Sequence, residues 1–300
     1  MVSGSLVGLK FTNACVNLCS RVVVPLWQLK DGATCQEVDL NSSTGLKGLE
    51  VVAPNAVQDR VLLYFHGGAH CLFSPHTHRE LLGRISAAAR ARVVAVNYSK
   101  APDRPFPAGL NDALASWHWV AQKYPNALVA VGGDSSGGNL AFALLLRLVE
   151  LDLPRPVAGF GLSPWLLLHS AVVEERTPEA LKPKFARFHR NASWAADLYR
   201  GGHPSDDPFV SPALASVELV AKLPPVLIHA SADEPLAVDA KEMASLCEQA
   251  GVAVELKLFD GVPHVFQGFP LLFPKSTRDS LHLLTLFLER HWNDQQLLQV

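Results

Sequence analysis

Apolar residues come in short unbroken blocks along this chain, with longer mixed stretches between them. The blocks are Val61-Leu62-Leu63-Tyr64-Phe65, Val93-Val94-Ala95-Val96, residues 128–132, residues 157–162, Pro225-Val226-Leu227-Ile228-His229 and residues 254–259. Each has the length of a strand, and a strand that is apolar at successive positions is buried on both faces. Residues 77–91, 108–124, 138–150, 236–250 and 276–290 carry their apolar residues at helical spacing. Regular alternation of such strands and helices predicts an α/β fold: a mostly parallel central sheet with helices on both faces. No internal repeat or low-complexity tract interrupts it.

Two segments break the rhythm. Residues 1–45 show no alternating pattern, and residues 165–210 form a long mixed stretch of helical character between two sheet strands. So long an excursion should be an inserted element rather than a loop. The expected organisation is an N-terminal cap segment (1–45), a sheet domain made of 46–164 and 211–300, and an inserted cap segment (165–210). The basic stretch Lys182–Arg190 within the insert reads equally well as a solvated helix face.

Composition narrows the classes. Of 300 residues, 49% are hydrophobic and 18% charged, which suits a large buried sheet and argues against disorder. A net charge of −2 without any basic tract argues against nucleic acid as a partner. The five cysteines are odd in number and scattered, which favours a reducing, cytoplasmic setting over a disulfide framework. Cys15 and Cys19 could share a helix face as packed thiols. Lys10, Asn13 and Asn17 interrupt the first twenty residues, so an amphipathic helix is expected there rather than a signal peptide. No stretch reaches the roughly 18 apolar residues of a membrane span.

The chemistry concentrates at residues 132–138, Gly-Gly-Asp-Ser-Ser-Gly-Gly, between an apolar strand and an apolar helix. Gly133, Ser135 and Gly137 form Gly-x-Ser-x-Gly, the layout of a nucleophile elbow. The turn is sharp enough that side chains at the two glycines would clash. A serine hydroxyl is a weak nucleophile at neutral pH and needs a base beside it. Upstream, the strand at 61–65 runs into His66-Gly67-Gly68-Ala69. Glycines there let backbone N–H groups face a ligand, as acyl transfer requires when charge grows on the carbonyl oxygen. The expected oxyanion hole is the loop Gly67, Gly68 and Ala69 with Ser136, the residue after the nucleophile. His70, His76 and His78 invite a metal reading, but no nearby Asp, Glu or Cys completes a site, so no metal is expected.

Taken together, these motifs resemble the hormone-sensitive-lipase family of α/β-hydrolase esterases. Asn97-Tyr98-Ser99-Lys100-Ala101-Pro102, then Pro105-Phe106-Pro107-Ala108, is similar to the family's Tyr-Arg-Leu-Ala-Pro and Phe-Pro-Ala segments. Ser163-Pro164-Trp165 and Ser211-Pro212 match landmarks on either side of the cap, and Gly261-Val262-Pro263-His264-Val265-Phe266 matches the segment of the catalytic histidine. The resemblance covers about residues 50–290. It implies an α/β-hydrolase fold with a helical cap, no cofactor, and a serine carboxylesterase acting on small to medium acyl esters through a Ser-His-acid triad and a covalent acyl-enzyme. It leaves room for a homodimer through a sheet edge, as in some relatives.

The implied nucleophile is Ser135 and the implied base His264. Three carboxylates compete for the acid: Asp233, Glu234 and Asp239. Glu234-Pro235-Leu236 fits the family's Asp-Pro-Leu frame without a gap, which favours Glu234, with Asp233 the runner-up. Two positions depart from the family: Ala69 stands where the loop usually has a third glycine, and Ser99-Lys100 replaces Arg-Leu. Asp134 reads as structural support inside the elbow. Competing readings are a non-catalytic ligand receptor on the same fold, an amide-hydrolysing relative and a glycine-loop nucleotide binder. His264 argues against the receptor, and the missing Gly-x-Gly-x-x-Gly argues against the nucleotide binder.

Overall fold

The structure is a computed structural model that describes residues 32–177, 179 and 182–297. Eight strands form one sheet: β1 (Thr34–Asn41), β2 (Leu46–Val52), β3 (Arg60–Phe65), β4 (Arg92–Val96), β5 (Leu128–Asp134), β6 (Ala158–Leu162), β7 (Val226–Ser231) and β8 (Val254–Phe259). Their order across the sheet is β1-β2-β4-β3-β5-β6-β7-β8. The β1–β2 and β2–β4 pairs are antiparallel, and every pair from β4 to β8 is parallel.

The principal helices are α1 (Arg79–Ala89), α2 (Ala108–Lys123), α3 (Ser136–Glu150), α4 (Ser170–Arg176), α5 (Lys182–Arg200), α6 (Ala237–Gln249) and α7 (Pro274–Leu297). Unbroken apolar strands mean two cores, one per face. Along β3, Val61, Leu63 and Phe65 pack with Leu110, Trp117 and the apolar helix α3 on one side. Leu62 and Tyr64 face the other side, toward Leu82 and Ile85 of α1 and Phe287 and Trp292 of α7. The period-two alternation of side chains thus persists, with both faces apolar.

The expected N-terminal boundary needs correction. Within the segment 1–45, Thr34–Asn41 is a sheet strand, paired along its length with β2. It was hidden because it is the edge strand and largely exposed, so Thr34, Gln36, Glu37 and Asp39 stand where a central strand would be apolar. Residues 1–31 of the expected N-terminal cap, with Cys15 and Cys19, lie outside the described residues. The expected insert carries α4 and α5, between β6 and β7. Among the described residues, no helix is long and apolar enough to cross a membrane.

Parallel strands leave their C-terminal ends on one side of the sheet, where ligand sites of α/β folds form. The loops after β3, β5, β7 and β8 carry residues 66–70, Ser135, Glu234 and His264 to that side.

Candidate active site

The elbow forms because β5 and α3 leave Ser135 alone between them. Its backbone sits at φ 53 and ψ −122, a strained position for a side-chain-bearing residue. The strain is held by pairing: Ser135 N–H donates to the Leu162 carbonyl at 3.0 Å, and its own carbonyl accepts from Trp165 at 2.9 Å. Glycines make the turn sterically accessible. A Cβ on Gly133 would lie 2.3 Å from the Gly137 carbonyl oxygen, and one on Gly137 would lie 2.1 Å from that of Phe65. Both obstacles are backbone atoms and cannot swing aside. Gly137→Ala should therefore cost about 3 kcal/mol or more, lowering Tm by about 6 °C or more. A thermal melt checks this, and an unchanged Tm would mean that the elbow can open without penalty.

His264 lies across the elbow, with Nε2 3.0 Å from Ser135 Oγ. Its Nδ1 is hydrogen-bonded to Oε2 of Glu234. Glu234 is 5% exposed, and its other oxygen accepts from Ser163 Oγ at 2.6 Å and from Ser231 N–H at 2.8 Å. Fixed donors hold one carboxylate oxygen, so the second is aimed at the imidazole. The rival carboxylates are engaged elsewhere. Asp233 accepts from Gly261 N–H at 2.9 Å, bracing the turn before His264. Asp239 is buried and accepts from the N–H groups of Leu166 and Leu167, both at 2.8 Å.

Ser163 is a residue whose position in this network the sequence did not reveal, although Ser163-Pro164-Trp165 was visible as a landmark. Besides donating to Glu234, its Oγ accepts from Val265 N–H at 3.2 Å. Ser163 and Val265 both have positive φ, at 49° and 48°. One hydroxyl thus ties the acid to the histidine loop.

In the loop after β3, Gly68 adopts φ +129°, and a Cβ there would lie 2.3 Å from the Leu72 carbonyl oxygen. Ala69 follows at φ 53°, so alanine has adopted the left-handed backbone that a third glycine would take without strain. No acceptor among the described residues takes the N–H of Gly68, Ala69 or Ser136. Gly67 lies against the Asp134 carboxylate, where a Cβ would be 2.4 Å from Oδ2. Asp134 is buried and collects polar partners. It accepts from Tyr64 Oη at 2.8 Å, and His78 Nε2 stands 3.4 Å away. Burial alone would raise its pKa, but His78, Tyr64 and Gly67 together hold it below the ordinary value.

His66 and His70 lie within this loop, and His76 follows it. His66 Nδ1 lies 2.7 Å from the Gly67 carbonyl, and its ring stacks on Tyr98 at 4.6 Å. Lys100, which stands at a departure from the family pattern, reaches Asn97 Oδ1 and the Tyr98 carbonyl at 2.9 and 2.8 Å. The His70 ring stacks on Tyr199 of α5 at 3.6 Å, and His76 pairs with Glu37 at 3.0 Å. Among the described residues, no group of three His, Cys, Asp or Glu is placed to hold a metal ion.

Buried histidines give folding a pH dependence. Burial pushes His70 and His229 down to about 3, and drives His66 well below its ordinary value. An unfolded chain protonates all three near pH ~6.5. Asp239 opposes them: burial pushes its carboxyl up to about 8, so the folded chain keeps a proton that the unfolded chain loses above pH ~4. Between those limits the unfolded state binds more protons, and stability falls as pH is lowered. Urea midpoints taken from pH ~6 to ~4.5 should drop steadily. A flat or rising series would contradict the assignment of these imidazoles as buried and neutral.

Above Ser135 lies a cavity of ≈ 630 Å³, within the range of small-molecule sites. Leu72, Phe73, Trp165, Phe188 and Leu236 give it apolar walls, with His264 at the base. A second cavity of ≈ 510 Å³ shares Trp165, Phe188 and Leu236 as walls and extends toward Leu167, Leu168 and Asp239.

Comparison with known proteins gives this geometry its context. A family model described as the alpha/beta hydrolase fold matches residues 62–268. An acetyl-hydrolase of Streptomyces hygroscopicus is 32% identical over 76% of this chain and 75% of its own length. The carboxylesterase/phospholipase LipF of Mycobacterium tuberculosis is 33% identical over 79% of this chain, which spans 64% of LipF. The crystal structure of an esterase from the bacterial hormone-sensitive lipase family superposes with a TM-score of 0.80 at 31% identity, covering 92% of this chain and 90% of that one.

Proposed function

Since this chain belongs to the hormone-sensitive-lipase family of α/β-hydrolases and is a carboxylic ester hydrolase, we propose that it is a serine esterase of small to medium acyl esters, working through a covalent acyl-enzyme on Ser135. The observation that carries this reading is the continuous line from Ser135 Oγ through His264 to the buried Glu234. His264 Nε2 takes the hydroxyl proton as Oγ attacks the ester carbonyl carbon. Negative charge develops on the carbonyl oxygen, where the N–H groups of Gly68, Ala69 and Ser136 receive it. The tetrahedral adduct collapses, the C–O bond to the alcohol breaks, and His264 returns its proton to the leaving alkoxide. Water then repeats the cycle on the acyl-Ser135 ester and releases the acid. Glu234 holds Nδ1–H throughout, which fixes the tautomer and stabilises the imidazolium.

Residues 165–210 serve as the cap in this reading. Phe188, Asn191, Ala192 and Ala195 of α5 close the cavity over Ser135 and would exclude water from the acyl-enzyme. The odd number and scatter of the five cysteines suit the cytoplasmic setting that belongs to the proposal.

Turnover of p-nitrophenyl esters of increasing acyl length tests the substrate class. Short and medium chains should be hydrolysed fastest. Phe188→Ala removes part of the wall between the two cavities. It should shift the optimum toward longer chains and raise the relative kcat/KM of a longer ester by about tenfold. An unchanged chain-length profile would place the acyl group elsewhere.

A further inference from the structure

The loop after His264 leads into the turn Phe269-Pro270-Leu271-Leu272-Phe273, which opens α7. The Phe269 carbonyl accepts from both Leu272 and Phe273 N–H at 3.0 Å, so the turn is closed and Leu271 and Leu272 stand at its tip. Phe273 points inward and packs against the cluster of Phe259, Val262 and Phe266. The other apolar side chains point out: Leu271 is 82% exposed, Leu272 72% and Phe269 50%. Turn tips ordinarily carry polar residues. Single exposed leucines need no explanation, but adjacent ones on an anchored turn form a contiguous patch where an apolar partner can seat.

Position identifies that partner. Phe269 and Gly268 also line the cavity over Ser135, so the patch runs without a break into the mouth of the site. Three side chains expose a few hundred Å² at most. That is well short of the ~800 Å² that each partner buries in a standard protein interface. A lipid surface needs no complementary partner face, and a small apolar patch gives a reversible contact whose strength scales with the area buried.

We propose that the Phe269–Phe273 turn is a lipid-contact element that seats the protein on a phospholipid bilayer, with Leu271 and Leu272 entering the surface and Phe269 forming the passage from it to Ser135. Its purpose rests on the esterase reading, because an ester dissolved in the bilayer then reaches the nucleophile without crossing water. The contact itself does not depend on catalysis.

The test uses vesicles of phosphatidylcholine and the full chain. Wild-type protein and Ser135→Ala should both float with the vesicles, and apolar insertion should persist at 0.5 M salt, which is about a Debye length of 4 Å. The double substitution Leu271→Ser/Leu272→Ser should reduce the floated fraction at least tenfold. Both side chains are exposed and lie outside the cavity lining, so its melting curve and its turnover of a water-soluble short ester should match wild type within about twofold. Turnover of an ester held in the vesicles should fall with the floated fraction. Wild-type protein that fails to float, or a double variant that floats equally, overturns the proposal. A wild-type dimer that the double variant converts to monomer also overturns it, and assigns the patch to a second copy of the chain. If Ser135→Ala floats and yet keeps turnover, the esterase reading fails while the lipid contact stands.

Discussion

Ser135→Ala should lower kcat/KM for a p-nitrophenyl ester by at least about 10⁴-fold while leaving the fold intact. The size follows from the geometry. His264 Nε2 stands 3.0 Å from Ser135 Oγ, so alanine removes the hydroxyl that the imidazole would deprotonate. Alanine keeps the backbone pairings of residue 135 with Leu162 and Trp165, so circular dichroism should be unchanged. Loss of activity with loss of fold would leave the role of the hydroxyl unproved. A folded Ser135→Ala protein with normal turnover would remove Ser135 from the mechanism.

Glu234→Gln should cost about 10⁴-fold in kcat, while Asp233→Asn should stay within a few-fold of wild type. The glutamine carbonyl can still accept from Ser231 N–H and Ser163 Oγ, so the loop should hold. Its amide would then face His264 Nδ1 as a donor. That forces Nδ1 to accept and places the imidazole proton on Nε2, where it can no longer take one from Ser135. Asp233 contacts the Gly261 N–H instead, so its amide variant alters a turn and leaves the tautomer alone. Steady-state kinetics of the two variants decides between them, and the reverse order of effects would move the acid to Asp233.

Much of the fold is legible in the chain because its central strands have no polar face. β3, β5, β6 and β7 are buried at every position and stand out as blocks. β1 does not, since an edge strand with exposed Glu37 and Thr34 has the composition of a loop. The elbow is legible for a steric reason: Gly133 and Gly137 approach backbone oxygens so closely that no other residue fits.

Contacts between distant parts of the chain are another matter. The choice of Glu234 over Asp233 could be favoured by its frame with Pro235 and Leu236, but the distinction lies in where each carboxylate points. Ser163 joins Glu234 and Val265, 71 and 102 positions away, and no local pattern marks that junction. Gly67 reads as an oxyanion donor by its place in His-Gly-Gly-Ala. That it also lies against the buried Asp134 carboxylate is seen only once β3 and β5 lie side by side. The stack of His70 on Tyr199 likewise depends on where α5 comes to rest.

The central claim is that Ser135 is the residue that becomes acylated. A fluorophosphonate forms a stable covalent bond to an activated serine, and peptide mass mapping locates it. One adduct per chain on Ser135, with labelling slowed severely by His264→Ala, is the result the site geometry predicts. Adducts on Ser136 or elsewhere, or an active protein that takes up no label, would contradict it.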